Sequence, residues 1–194
     1  MQTLRPFAAA AAVLALAACG GAPARIDYFT LTAPAATTVA SQANALSVHV
    51  GPVSVPDGVD RPQLVLRGAG NEVAIEDNQR WAEPLKDAIP RVIADSLAAE
   101  LGTPRVMTSR QSASLDFDYR VAIDVQHFDS SPTEGASEDV IWTIRTKLNQ
   151  PPHVGRTVVK EPAAGVASLA EAHSRALARV SHDIAAAIRA IPRS

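Results

Sequence analysis

Cysteine is nearly absent: the 194-residue chain holds one, Cys19. No internal disulfide can form, and a fold stapled by bridges or a multi-thiolate metal site is excluded. Aromatic residues amount to 4 %, so Val, Leu, Ile and Ala must build the core. Formal charge is −2 with no dense basic block, which leaves nucleic-acid binding without electrostatic support. No apolar run reaches the roughly 20 residues a membrane-spanning helix needs. His49, His127, His153, His173 and His182 include no pair spaced three or four apart, so no helical metal-binding pair exists. His173 and His182 fall on a terminal helix pattern, where a solvent-facing or satisfied histidine is the expectation. Ser174 and Asp183 lie nearby, but no nucleophile elbow and no phosphate-cradling glycine loop is present. Asp116, Asp118 and Asp124 share the polar face of one strand and are read as solvated. These gaps leave no catalytic residue, no metal and no cofactor to expect.

The N-terminus is where the pattern turns specific. Arg5 precedes an apolar run from Phe7 to Ala15, and Leu16-Ala17-Ala18-Cys19 follows. Basic start, short apolar stretch and small residues before a cut are the parts of a secretory signal. With the thiol directly after the cut, the segment resembles the lipobox of bacterial lipoproteins. That resemblance implies acylation of the Cys19 sulfur and cleavage before it. Several buried acyl chains, at about 0.8 kcal/mol per methylene, make anchoring effectively permanent. The chain thus divides into a signal peptide (1–18), a lipidated tether (19–25) and one domain (26–194). The tether reaches at most about 25 Å at full extension, which keeps the domain near the bilayer.

Within the domain, Ile26–Thr32 reads as a strand, and residues 34–45 as a loop. Leu46–Val55 alternates, with a parity switch at Gly51-Pro52 that predicts a bulge or bend. Leu64–Arg67 and Val73–Glu76 flank a Gly-rich turn, a hairpin pattern. Helical spacing begins near Ala82 and runs through Leu85, Ile89, Val92, Ile93, Leu97 and Leu101 to a stop at Gly102. Pro90 interrupts it and predicts a lost backbone bond. Leu115–Gln126 carries the strongest period-two signal. Asp129–Ser137 reads as a polar loop, and Val140–Leu148 and Arg156–Lys160 as two more strands. A second helix over 168–191 places Leu169, Leu177, Val180, Ile184 and Ile188 on one face. The expected class is α/β: a mixed, largely antiparallel sheet with helices packed on it.

Val59-Asp60-Arg61-Pro62-Gln63-Leu64-Val65 and Arg80-Trp81-Ala82-Glu83-Pro84-Leu85 stand out from this pattern. Together with Tyr28-Phe29-Thr30-Leu31 and Val50-Gly51-Pro52-Val53, they resemble the PqiC-like family of ABC-type transport auxiliary lipoproteins over essentially the whole mature chain. The resemblance implies a sheet similar to the anticodon-binding-like fold of TolB-type N-terminal domains. It also implies an accessory role in moving lipids across the periplasm, beside a mammalian-cell-entry-type carrier and an ABC or permease subunit. Gly20 after the thiol, rather than Asp, looks like the outer-membrane sorting class, so the expected location is the periplasmic side of that membrane.

Read physically, Pro62 holds Arg61 extended, and Asp60 can support a turn. Arg61 would pair with Glu83 or stack on Trp81. One reading makes both motifs corners that align the hairpin with the first helix. The other makes Arg61, Arg80 and Trp81 a partner-facing patch. Docking by strand addition at a sheet edge and homo-oligomer formation both fit. An adaptor is the leading expectation. A carrier with a lipid pocket between sheet and helices is the alternative, and a hydrolase would need a convergent nucleophile and base.

Overall fold

A computed structural model describes residues 25–34, 46–108, 116–148 and 150–192. Cys19, the signal segment, tether residues 19–24 and residues 35–45 of the loop expected over 34–45 lie outside the described residues. Period-two stretches form strands: β1 (Asp27–Phe29), β2 (Val48–Ser54), β3 (Gln63–Arg67) and β4 (Val73–Trp81) precede helix α1 (Leu85–Leu101). Then come β5 (Val106–Thr108), β6 (Tyr119–Ser131), β7 (Gly135–Thr146) and β8 (His153–Glu161). A 3-10 turn at Val166–Ser168 leads into helix α2 (Leu169–Ala190).

All eight strands join one mixed sheet with β6 as its spine. One side of β6 pairs antiparallel with β7, and β7 in turn with β8. The other side takes β2 in parallel along its first half and β3 in parallel at Ser130. β3 and β4 form the expected antiparallel hairpin, β1 runs parallel to the end of β4, and β5 parallel to β2. α1 packs over β2 and β5, α2 over β7 and β8, and the helices on each other. Leu85, Ile89, Val92, Ile93 and Leu97 of α1 meet Leu169, Leu177, Val180, Ile184 and Ile188 of α2 in one buried cluster with Val121, Val140 and Ile144. The expected class and both apolar helix faces are therefore what the chain forms.

Local chemistry explains the boundaries. α1 begins at Leu85, three residues past the expected onset, because Pro84 occupies the N-cap and suits a helix start. Gly102 ends it in the left-handed region at φ 65°, where a residue without Cβ fits best. Pro90 is accommodated inside the helix and buried. At Gly51-Pro52 the peptide is cis, and the register of β2 against β6 shifts between Val50 and Val53, at the expected bend.

The loop expected over Asp129–Ser137 is different in the structure. β6 continues to Ser131, and β7 starts at Gly135. A bulge between Val125 and His127 shifts the β6–β7 register, so the buried set passes from Tyr119, Val121, Ile123 and Val125 to Phe128 and Ser130. A strand that changes parity looks like a loop to a period-two reading. β8 also outruns its expected Arg156–Lys160 core at both ends.

Candidate functional site

The two sequence motifs meet at one corner of the sheet. Residues 56–61 form a turn in which the Val59 and Asp60 amides donate to the Pro56 carbonyl at 3.0 and 3.1 Å. Pro62 then starts the run into β3, and its carbonyl accepts the Trp81 amide at 2.7 Å. The Ala82 amide donates to Phe29 O at 2.7 Å, which ties in the end of β1. Asp60 faces Lys86 in the first turn of α1 at 3.6 Å. Glu83 pairs with Arg91 of α1, and Arg91 also donates to Leu31 O at 3.0 Å. The corner thus joins β1, the β3–β4 hairpin and α1.

Arg61 meets neither partner expected for it. Glu83 is engaged by Arg91, which reaches back along α1 to it. The Trp81 indole, 6 % exposed, turns inward and lies edge-on to Phe128 (centroids 6.0 Å) and His173 (6.1 Å). Arg80 is half-buried and donates from Nε to the Asp77 carbonyl at 3.0 Å. Asp60, Arg61, Pro62, Trp81, Glu83 and Lys86 line an open cleft of ≈ 390 Å³. Arg61 Nε is buried at this cleft without a hydrogen-bond partner among the described residues. A buried, unanswered donor is costly, and its burial keeps this Nε from an incoming oxygen; the cleft holds no nucleophile–base pair.

A second constellation escaped sequence reasoning. Ser130 Oγ lies 2.9 Å from His173 Nε2, and His173 Nδ1 lies 2.9 Å from Glu138 Oε1. Hydroxyl, imidazole and carboxyl therefore stand in relay order. Both His173 and Glu138 are fully buried and Ser130 is 3 % exposed, so no substrate carbonyl can approach the hydroxyl in this conformation. The Phe128 ring stacks on the imidazole at 3.8 Å. Burial holds His173 down at about 3 and Glu138 well above the ordinary carboxylate range. Both groups are neutral inside, and the cluster is a polar knot between β6, β7 and α2. Ser130 and Glu138 fall inside the stretch that reads as a loop or at its border, so no pattern in the sequence joins them to His173.

The acidic strand face is not uniformly solvated. Burial pushes the Asp118 carboxyl up, but hydrogen bonds from Lys147 Nζ (2.6 Å) and from the Ser47 amide and hydroxyl (2.8 and 2.9 Å) bring it down to about 2. Asp124 pairs with Ser54. Among the described residues no group of His, Cys, Asp and Glu is placed to hold a metal ion, and no helix is long and apolar enough to cross a membrane.

A curled mixed sheet carrying two helices, with a motif-built corner and a closed polar knot, defines a small α/β domain. Residues 29–185 match the model of the ABC-type transport auxiliary lipoprotein component family, and the chain belongs to that family. Its fold is that of a protein of family DUF330 from Xanthomonas campestris, at 17 % identity and a TM-score of 0.62, covering 82 % of this chain and 92 % of the other. An uncharacterized protein of known structure is similar at 19 % identity and a TM-score of 0.66, covering 84 % and 99 %. A comparison with curated proteins finds no match. The family is an auxiliary transport component, not a class of enzyme.

Proposed function

We propose that this protein is a lipid-anchored, non-enzymatic adaptor that holds an ABC-type lipid-transport assembly at the outer membrane. The observation that carries this reading is the coincidence of the family match over 29–185 with Cys19 at the end of a signal-like segment. An acylated Cys19 fixes one end of the chain in the bilayer. A tether of about 25 Å at most leads to β1, so the domain works within a few nanometres of the membrane surface. Its partners are a mammalian-cell-entry-type lipid carrier and the ABC or permease subunits. The cleft around Arg61 supplies one docking point, with the half-buried Arg61 and the neighbouring Lys86 as cations for a partner carboxylate. The continuous buried cluster that joins the sheet to both helices favours holding a partner over carrying lipid.

The test replaces Cys19 with Ala in the full chain and follows acyl labelling and membrane fractionation. Loss of label and of outer-membrane recovery is the expected result. A labelled or membrane-retained variant overturns the anchor. Lipid that copurifies in stoichiometric amount with the wild-type protein would replace the adaptor by the carrier.

A further inference from the structure

Seven large apolar side chains stand exposed among the described residues, and four of them gather on one face. Ile26, Tyr28, Val73 and Ile75 are 38 %, 64 %, 53 % and 48 % exposed. The ladders place them together. Leu64 and Leu66 of β3 are buried in the core, so Val65 between them points away from the helices. Ile75 and Val73 stand directly opposite Val65 and Arg67 and share that face. Gln63, two residues before Val65, pairs with Arg80, and Arg80 pairs with Tyr28 on β1. Phe29 packs against the core, which leaves Tyr28 and, two residues earlier, Ile26 on the outside.

The border of this patch is polar and carries no excess of positive charge. Arg25 pairs with Asp27 at 3.0 Å and Arg67 with Asp129 at 2.9 Å, while Arg80 Nε donates to the Asp77 carbonyl. Glu72 and Asp77 lie beside the apolar residues. A polyanion gains nothing from such a border, so whatever covers the face is held by apolar contact. Contiguous exposed apolar area with a polar rim marks a surface for a protein, a membrane or a ligand. A tyrosine ring and arginine stems beside aliphatic side chains suit the membrane–water boundary, where ring and stem are buried and the polar ends stay wet.

The point at which the chain enters chooses the occupant. Ile26 directly follows residues 19–25, and seven residues span at most about 25 Å. The patch begins where the tether ends, on the surface that a domain held by Cys19 turns toward its bilayer. We propose that this face of β1, β3 and β4 lies on the membrane that holds the acylated Cys19. Tyr28, Val73 and Ile75 enter the boundary between headgroups and acyl chains, with Arg25, Arg67 and Arg80 at the level of the phosphates. The helices, packed on the opposite face of the sheet, then point away from the bilayer. Four side chains add to the acyl anchor and do not replace it. The proposal rests on the anchor of the proposed function and extends it from position to orientation.

In the test, the full chain purified from membranes is weighed for acylation of Cys19. It is then reconstituted into phosphatidylethanolamine vesicles with a minor share of phosphatidylglycerol. Phospholipids brominated on their acyl chains quench an indole that reaches them. Trp81 and Trp142 are buried, so the emission of a new indole is read as the difference from wild type. Tyr28→Trp should lose emission at least about twofold in brominated over plain vesicles. His182→Trp, at an exposed position of α2, should lose none. Adding Val73→Asp and Ile75→Asp to Tyr28→Trp should abolish the loss while the acylated protein stays on the vesicles. Ile75→Trp should be quenched like Tyr28→Trp, and it decides the question if that variant does not fold. Acylated protein with both new indoles unquenched, or with His182→Trp quenched equally, overturns the proposal and leaves the anchor standing. Emission shifted to the blue but unquenched means that protein covers the face, from a second copy or from this chain, and overturns it too. A wild type without acyl chains overturns the anchor and this proposal together.

Discussion

His173 and Glu138 sit 2.9 Å apart without solvent contact, and burial pulls their titrations in opposite directions. In the unfolded chain the histidine titrates near 6.5 and the acid near 4.5. Below 6.5 the unfolded histidine takes up a proton that the folded one refuses until about 3, so this group costs stability as pH falls. Above 4.5 the unfolded acid loses a proton that the folded one keeps, so Glu138 costs stability as pH rises. Between these values the two slopes cancel. The pair therefore gives a plateau, with an acid limb below it from His173 and an alkaline limb above it from Glu138, each about 1.4 kcal/mol per pH unit. Urea unfolding of wild type against Glu138→Gln should show the alkaline limb vanish in the variant; an unchanged slope above pH 6.5 would count against it. Trp81 belongs to the same buried neighbourhood. Trp81→Ala should cost about 3–5 kcal/mol in the same assay, whereas an indole facing a partner would cost little. The sequence singles out the corner residues by their motifs but does not show which way Trp81 and Arg61 point.

Strands in this sheet are joined by side chains as well as by ladders. Asp118 is the clearest case, because its carboxylate receives the Ser47 amide and hydroxyl from just before β2 and the Lys147 ammonium from just after β7. Asp118→Asn should lower stability at neutral pH by about 1–3 kcal/mol, since the charged acceptor of three donors is lost. The group's folded value is depressed to about 2 from 3.8, so its contribution is present above 3.8 and disappears as pH falls toward 2. The gap between wild type and variant in urea unfolding should shrink over that window, and a gap independent of pH would contradict the assignment. At this scale the helices are the most legible elements, because their apolar positions recur without interruption from Leu169 to Ile188. β6 and β7 are read only in part. One extra residue near Gln126 reverses the parity, and a pattern rule has no means of knowing that a partner strand absorbs it.

For the whole molecule, the anchor and the folded body are separable pieces of physics. Among the described residues, the core closes between the sheet and both helices. Cys19→Ala should therefore leave the thermal unfolding midpoint within error of the wild type, while its membrane recovery falls to background. A lowered midpoint would mean that the N-terminal segment contributes to the body. The readouts differ accordingly: location reports the anchor, and unfolding reports the polar knot and the corner.

What the linear chain determined by itself was its class and its plan: few thiols, no basic block, helical and alternating apolar stretches, and motifs that identify a family. These are properties of neighbours in sequence, and local spacing is enough to carry them. The tertiary structure alone decided that Ser130, Glu138 and His173 share one dry site, and that Arg61 Nε is buried without a partner among the described residues while Arg91 takes Glu83. Each of those depends on which distant segments exclude water from one another, and burial of that kind is set by the packed sheet, not by any stretch read alone.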